Sequence, residues 1–263
     1  MISNIHTHTC FCDGRDTPAE MAQRAYDLGF VSLGFSGHSD TGFDPCGMRD
    51  YDSYRAAVAA EKERWRGKME IYCGIEQDYF SGRAEGWDYV IGSVHYVERG
   101  GKKLAVDWSP EETDRIIREE YGGSADSFAE DYYALVGTLA DVTGCDIIGH
   151  FDLITKFDEG GKVFSGRRYT EAAMGALEAL IKTGAIFEIN TGALARGYRR
   201  TPYPAPWILR ELHAKGAEII ITSDCHNKDH LDFGYEAAVK SAREAGYDSA
   251  LILRRGKFER AGF

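Results

Sequence analysis

The stretch Ile2-Ser3-Asn4-Ile5-His6-Thr7-His8-Thr9-Cys10-Phe11-Cys12-Asp13-Gly14 starts as a short apolar run and ends among polar side chains. Residues 2–6 read as a first strand. Side chains two apart on a strand share a face, so His6 and His8 present their imidazoles side by side. Two neutral imidazole nitrogens can hold one cation of the zinc, iron or manganese kind, whereas the plainer alternative is an N-terminal strand with exposed histidines. Where the remaining histidines fall separates the two.

Downstream, strand and helix alternate. Thr17-Pro18-Ala19-Glu20 carries an N-cap hydroxyl, a proline at the first helical position and a glutamate three residues after the cap, predicting a helix to residue 28 that Gly29 ends. A strand over 30–36 leads into Gly37-His38-Ser39-Asp40, and a polar loop over 40–52 precedes a helix over 51–66. Apolar runs at 69–75 and 87–94 finish at Glu76 and His95. Over 98–145 two helical patterns replace the alternation. Ser109-Pro110-Glu111-Glu112 opens the first, to about residue 121. The second, 124–142, carries Phe128, Tyr132, Leu135, Val136 and Leu139 at helical spacing, a core-facing stripe. Strands at 145–149, 185–189 and 218–222 end at His150, Asn190 and Ser223-Asp224-Cys225-His226, with helices near 168–183, before Gly216 and over 234–245. The apolar run at 250–253 is an eighth strand or an edge element.

Seven strands, each followed by a helix or a long loop, predict an α/β fold, a parallel β/α barrel whose chemistry gathers at the carboxyl ends of the strands. Six of the eight histidines (His6, His8, His38, His95, His150 and His226) fall at such ends, together with Glu76, Asp224 and Asp13, while His213 and His230 do not. Any one of them alone would read as a core histidine satisfied by hydrogen bonds. Six on one rim with three carboxylates point to a metal site. A single catalytic zinc takes about three protein ligands, so nine side chains suit two or three divalent ions. Closely spaced cations can lower the pKa of a shared water and stabilise both oxygens of a displacement at phosphorus. Arginine's planar fork matches phosphate oxygens, making Arg196 the first candidate for substrate grip, with Lys156, Arg199 and Arg200 behind it. A solvated surface is the alternative for all four.

The composition limits the partners. At 263 residues the chain has the length of one barrel domain, expected over residues 1–263, since barrels of roughly 250 residues form single domains. It has 43% hydrophobic and 28% charged residues, and no apolar stretch of about 18 residues that would span a bilayer. The start lacks the basic and apolar regions of a secretory signal, so a cytoplasmic location is expected by default. Six cysteines without regular spacing fit buried thiols better than a disulfide framework. A net charge of −11 repels polyanions, which argues against nucleic acid and leaves a small phosphorylated metabolite as the expected partner.

The ordered set Ile5-His6-Thr7-His8-Thr9, Gly37-His38-Ser39, Gly74-Ile75-Glu76, Gly92-Ser93-Val94-His95, Gly149-His150-Phe151-Asp152 and Ser223-Asp224-Cys225-His226 resembles the polymerase and histidinol phosphatase (PHP) family over nearly the whole chain. Residues 188–199 resemble its histidinol-phosphatase branch. The resemblance implies a distorted (β/α)7 barrel with a trinuclear site of zinc, iron or manganese. It places a first metal on His6, His8, Glu76 and Asp224, a second on Glu76, His95 and His150, and a third on Asp13, His38 and His226. Asp13 departs from the family pattern, since many relatives place a histidine near that point and the spacing here is one residue shorter. The implied reaction is hydrolysis of L-histidinol phosphate, with Arg196 and Lys156 on the phosphate, Arg199 behind them, and Asp224 or His226 delivering the proton. Asp40, Asp44 and Tyr51 are candidates to face the substrate's imidazole and ammonium. Three rivals remain at this stage: a PHP phosphoesterase for another small phosphate, an amidohydrolase, and a metal-binding module without turnover. Asp-x-His at the seventh strand, Glu76 at the third and the nearby arginines speak against the amidohydrolase.

Overall fold

The computed structural model describes residues 2–263; Met1, the first residue of the expected domain and of the start read as leaderless, lies outside the described residues. In chain order the first half runs β1 Ser3–Asn4, α1 Pro18–Asp27, β2 Ser32–Phe35, α2 Tyr51–Arg64, β3 Glu70–Cys73, β4 Ile75–Asp78, β5 Val90–Ser93, β6 Tyr96–Arg99, β7 Lys102–Ala105, α3 Pro110–Glu119, α4 Ala125–Val136 and α5 Leu139–Thr143. The second half continues with β8 Ile147–Ile148, α6 Gly166–Ile181, β9 Ile186–Asn190, α7 Gly192–Ala195, α8 Pro206–Ala214, β10 Ile219–Thr222, α9 Tyr235–Ala245, β11 Ser249–Arg254 and β12 Lys257–Gly262.

One parallel sheet has the order β1-β2-β3, and a second runs β10-β9-β8-β5-β4, also parallel. Parallel bridges between Thr7 and Cys225 and between His38 and Glu76 join the two at their carboxyl ends. The result is a seven-stave barrel whose third stave is split into β3 and β4. Gly74 marks the split, because a Cβ there would overlap the Tyr89 ring. The Tyr89 hydroxyl lies 2.5 Å from the Ile5 carbonyl and 3.0 Å from that of Phe35, so this one side chain ties the first two staves together behind the break. Below the rim the interior is dry: Ile5, Tyr89, Ile91, Ile147, Ile186 and Ile220 pack there in one buried cluster. Helices cover the outside, with α4 against α6 in the largest cluster and α1 and α2 against the β1-β2-β3 sheet in another. The capping box at Thr17 forms as the sequence predicts, the Thr17 hydroxyl accepting from the Glu20 N–H and the Glu20 carboxylate from the Thr17 N–H.

Two details differ from the sequence expectation, and a third, left open there, is decided. The segment 98–145 is not purely helical, because β6 and β7 form a hairpin with Arg99 opposite Lys102 across Gly100-Gly101, both at positive φ (58° and 78°). Two glycines with that geometry close a tight two-residue turn. The helix expected over 124–142 breaks at Gly137-Thr138 into α4 and α5. The run at 250–253 is β11, an eighth strand parallel to β10, and the edge is the antiparallel β12 on its far side.

Candidate metal centre

At the carboxyl rim of β1, β4 and β10, His6, His8, Glu76 and Asp224 meet in a buried cluster. His6 Nε2 lies 3.4 Å from Glu76 Oε2 and 3.7 Å from Asp224 Oδ1; His8 Nε2 lies 3.5 and 3.3 Å from the same two oxygens. Four ligands on a tetrahedral cation at 2.0–2.2 Å sit about 3.4 Å apart. The spacing therefore fits a zinc-sized ion. A second observation agrees: His6 Nε2 and His8 Nε2 are both buried with no hydrogen-bond partner, a costly condition that a cation would relieve.

Glu76 is the hub of a wider cluster. Its Oε2 also lies 2.8 Å from His38 Nδ1, while its Oε1 lies 3.0 Å from His150 Nε2, 3.4 Å from His95 Nε2 and accepts from Ser93 Oγ at 2.6 Å. On the outer side His8, Asp13, His38 and His226 offer ligand atoms within 4.8 Å of one another, with His226 Nε2 3.1 Å from Asp13 Oδ2. All nine side chains that the sequence singled out for metal thus share one rim. Their backbone is unusual at two points, His150 at φ 20° and Asp224 at φ 46°, a left-handed conformation that non-glycine residues adopt at a cost and that clusters at functional sites.

Burial and charge pull these groups in opposite directions. Burial alone would raise Glu76, yet His38, His6 and His95 hold it well below the usual carboxylate range. Asp224 behaves alike, with Arg196 and His6 outweighing burial. His6 is raised well above its ordinary value because Glu188, Glu76 and Asp224 outweigh burial, whereas burial beside His226 and His38 lowers His8 to about 3.

A cavity of about 360 Å³ opens above the cluster, its outer wall formed by Asp44, Cys46, Tyr96, Asp107, Trp108 and Leu153. Arg196 lines it, donating from Nη2 to Asp224 Oδ2 at 3.1 Å, with Nη1 3.2 Å from His226 Nδ1. Lys156 lines it too, bonded to Asp107 Oδ2 at 2.9 Å and to the Asp107 carbonyl at 3.0 Å. Arg199 does not join them: its guanidinium donates to Thr155 Oγ1 at 2.7 Å and to the carbonyls of Thr155 and Thr201, and it stacks on Tyr203, so it is buried as part of the wall. Arg200 is exposed. Of the loop candidates, Asp44 reaches the cavity, while Asp40 pairs with Arg49 and donates its backbone N–H to the Tyr51 hydroxyl at 2.7 Å.

The sequence reading missed four supporting residues. Glu188 bonds His6 Nδ1 at 2.5 Å, Asp78 Oδ2 lies 3.1 Å from His95 Nδ1, Ser93 holds Glu76, and Asp107 holds Lys156. Strand periodicity could have found two of them. Asp78 is two residues after Glu76 and Glu188 two before Asn190, so each shares its neighbour's inward face. Asp107 follows the hairpin that was not foreseen.

A distorted β/α barrel with an imidazole and carboxylate cluster at its carboxyl rim, under a guanidinium, defines a metal-centre barrel. The chain belongs to the PHP-domain family, whose model matches residues 4–192. It is 31% identical to the "Probable histidinol-phosphatase" of Deinococcus radiodurans over 93% of this chain and 94% of that one. It is 26% identical to the histidinol-phosphatase of Bacillus subtilis, covering 88% of this chain and 96% of that one. The crystal structure of histidinol phosphate phosphatase from Lactococcus lactis, in complex with zinc, L-histidinol and phosphate, superposes with a TM-score of 0.75 at 18% identity, covering 98% of each chain.

Proposed function

We propose that this chain is a metal-dependent phosphatase that hydrolyses L-histidinol phosphate to L-histidinol and phosphate, a step of histidine biosynthesis. The observation that carries the reaction type is the pair of buried, unpartnered nitrogens, His6 Nε2 and His8 Nε2, that face Glu76 and Asp224 where these two carboxylates line the cavity with the Arg196 guanidinium. The near full-length likeness to histidinol-phosphatases supports the substrate. In this reading His6, His8, Glu76 and Asp224 hold a first ion, Glu76 with His95 and His150 a second, and Asp13, His38 and His226 a third, zinc, iron and manganese all suiting such donors. His8 borders the third group as well. Residues 1–263 act as one domain, in the cytoplasm. The expected partner is a small phosphorylated metabolite; the net charge of −11 argues against nucleic acid, and no helix among the described residues is long and apolar enough to cross a membrane.

When bound, the ions supply Lewis acidity at the phosphoryl group and an activated water. The chain does the rest. Arg196 presents N–H groups to phosphate oxygens from a position fixed by Asp224, and Lys156, held by Asp107, adds a second cation to the cavity lining. Arg199 braces Thr155 next to Lys156, a supporting role in place of direct phosphate contact. Asp224 is held ionised, which suits a ligand, so proton delivery to the leaving oxygen falls to His226 or to water it orients. That assignment fails if His226→Asn, with full metal content, turns over like the unaltered protein. The function as a whole is tested by phosphate release from L-histidinol phosphate beside a panel of sugar phosphates and nucleotides; preference for one of these others would move the substrate while keeping the site.

A further inference from the structure

Glu188 on β9 is completely buried, and the barrel supplies its carboxylate with four donors. Oε1 accepts from Thr222 Oγ1 at 2.6 Å and lies 2.5 Å from His6 Nδ1; Oε2 accepts from the His150 backbone N–H at 2.7 Å and from Asn190 Nδ2 at 2.9 Å. The Asn190 amide is itself fixed, because its Oδ1 accepts from the Gly192 N–H at 2.8 Å. Neither carboxylate oxygen faces the cavity. So placed, Glu188 touches the two residues that flank Glu76 from opposite staves, His6 after β1 and His150 after β8.

The consequence lies in the imidazole tautomer. Neutral histidine carries its proton on one nitrogen and its lone pair on the other. With Nδ1–H donating to Glu188, the lone pair of His6 sits on Nε2, the atom that points at Glu76 and Asp224 without a hydrogen bond. In the other tautomer an Nε2–H would donate to those same carboxylates and close the site. We propose that Glu188 is a positioning residue for the metal centre: it keeps a proton on His6 Nδ1, so that Nε2 is the nitrogen given up to an ion, and it pins the strained His150 backbone, aligning both imidazoles. Carboxylates behind metal-bound histidines tune affinity in this way in general. The inference rests on the proposed metal centre and goes beyond it.

Glu188→Gln is the informative change, since an amide of the same shape has one acceptor oxygen. Its NH2 either faces the His150 and Asn190 donors, or donates to His6 Nδ1 and drives the proton onto Nε2. Zinc affinity, measured by competition with a chromophoric chelator, is expected to fall about 10–100-fold. Circular dichroism and melting of the metal-free variant control for folding. The independent readout is nitrogen-15 NMR of histidine-labelled, zinc-loaded unaltered protein, where His6 should show a protonated Nδ1 and a metal-bound Nε2. A metal-bound or unprotonated Nδ1 overturns the inference even if the variant fails to fold, and so does a folded variant with unchanged zinc affinity. Unaltered protein that binds no zinc, iron or manganese overturns the metal reading itself, a result distinct from intact binding that ignores Glu188.

Discussion

The inner and outer halves of the cavity are built differently. Inside, His6, His8, Glu76, His150 and Asp224 are nearly all inaccessible, and each sits at the end of a stave whose register is fixed by its neighbours. Outside, Asp44, Tyr96, Asp107 and Trp108 come from a loop and a hairpin, and Trp108 is 68% exposed. The inner half is held by the pairing of the barrel strands and by buried hydrogen bonds, the outer by a separate two-stranded hairpin and a loop. Chemistry that needs fixed geometry belongs to the first, and discrimination among phosphate esters suits the second, because loops change without disturbing a barrel.

The largest effects should therefore come from the inside. Glu76→Gln removes the carboxylate shared by five imidazoles, and metal content and turnover should fall together, with kcat reduced on the order of 10³-fold or more. A fully active, metal-loaded variant would dissolve the distinction between the two halves. Next comes the boundary. Arg196→Ala should lower kcat/KM by about 10²–10³-fold with metal content intact, while Arg199→Lys, altering a buried brace, should lower the melting temperature more than it lowers turnover. Equal kinetic losses at both positions would place Arg199 on the substrate after all. On the outer wall, Trp108→Ala and Asp44→Asn should raise KM several-fold with kcat nearly unchanged, the pattern of contacts made equally in ground and transition states.

A smaller effect concerns pH in protein stripped of metal. His6, His38 and His95 are raised despite burial, by Glu188 and Glu76 for His6, by Glu76 and Asp13 for His38, and by Glu76 and Asp78 for His95. Above about pH 6.5 the unfolded chain has released those protons while the folded chain still binds them, so stability falls as pH rises through the folded-state values. His8, lowered to about 3, is neutral in both states there and contributes no slope. Melting temperatures of chelated protein should drop between pH 6.5 and 9, and zinc, taking the place of the protons, should abolish the drop. An identical slope with and without zinc would show that the ion does not bind these imidazoles.

The same division explains what the sequence discloses. The apolar runs ending at His6, Glu76, His95, His150 and Asp224 carry the inner half, because a strand end fixes a residue's place on the rim once the barrel is recognised. The break at Gly74 was hidden in an unbroken apolar run, since nothing local to 69–78 says that Tyr89 fills the space behind it. The β6–β7 hairpin was legible in Gly100-Gly101 between alternating residues, but the helical patterns on its far side masked it, and Asp107 and Trp108 went unseen with it. Arg199 shows the limit of reading charge alone. Its neighbour Tyr203 and its acceptor Thr155 lie 4 and 44 residues away along the chain, and only the fold turns a basic run into one arginine facing the cavity and one buried in the wall.

On this reading the inner cluster is a metal centre serving phosphate ester hydrolysis. Its most direct test is phosphate release from L-histidinol phosphate by purified protein, with bound metal determined on the same sample before and after chelation. The expected result is two or three ions per chain and turnover that disappears with them, returns on adding zinc, iron or manganese, and prefers histidinol phosphate over other phosphates. Turnover that persists in metal-free protein, or a metal-loaded sample without activity on any phosphate ester, would contradict it.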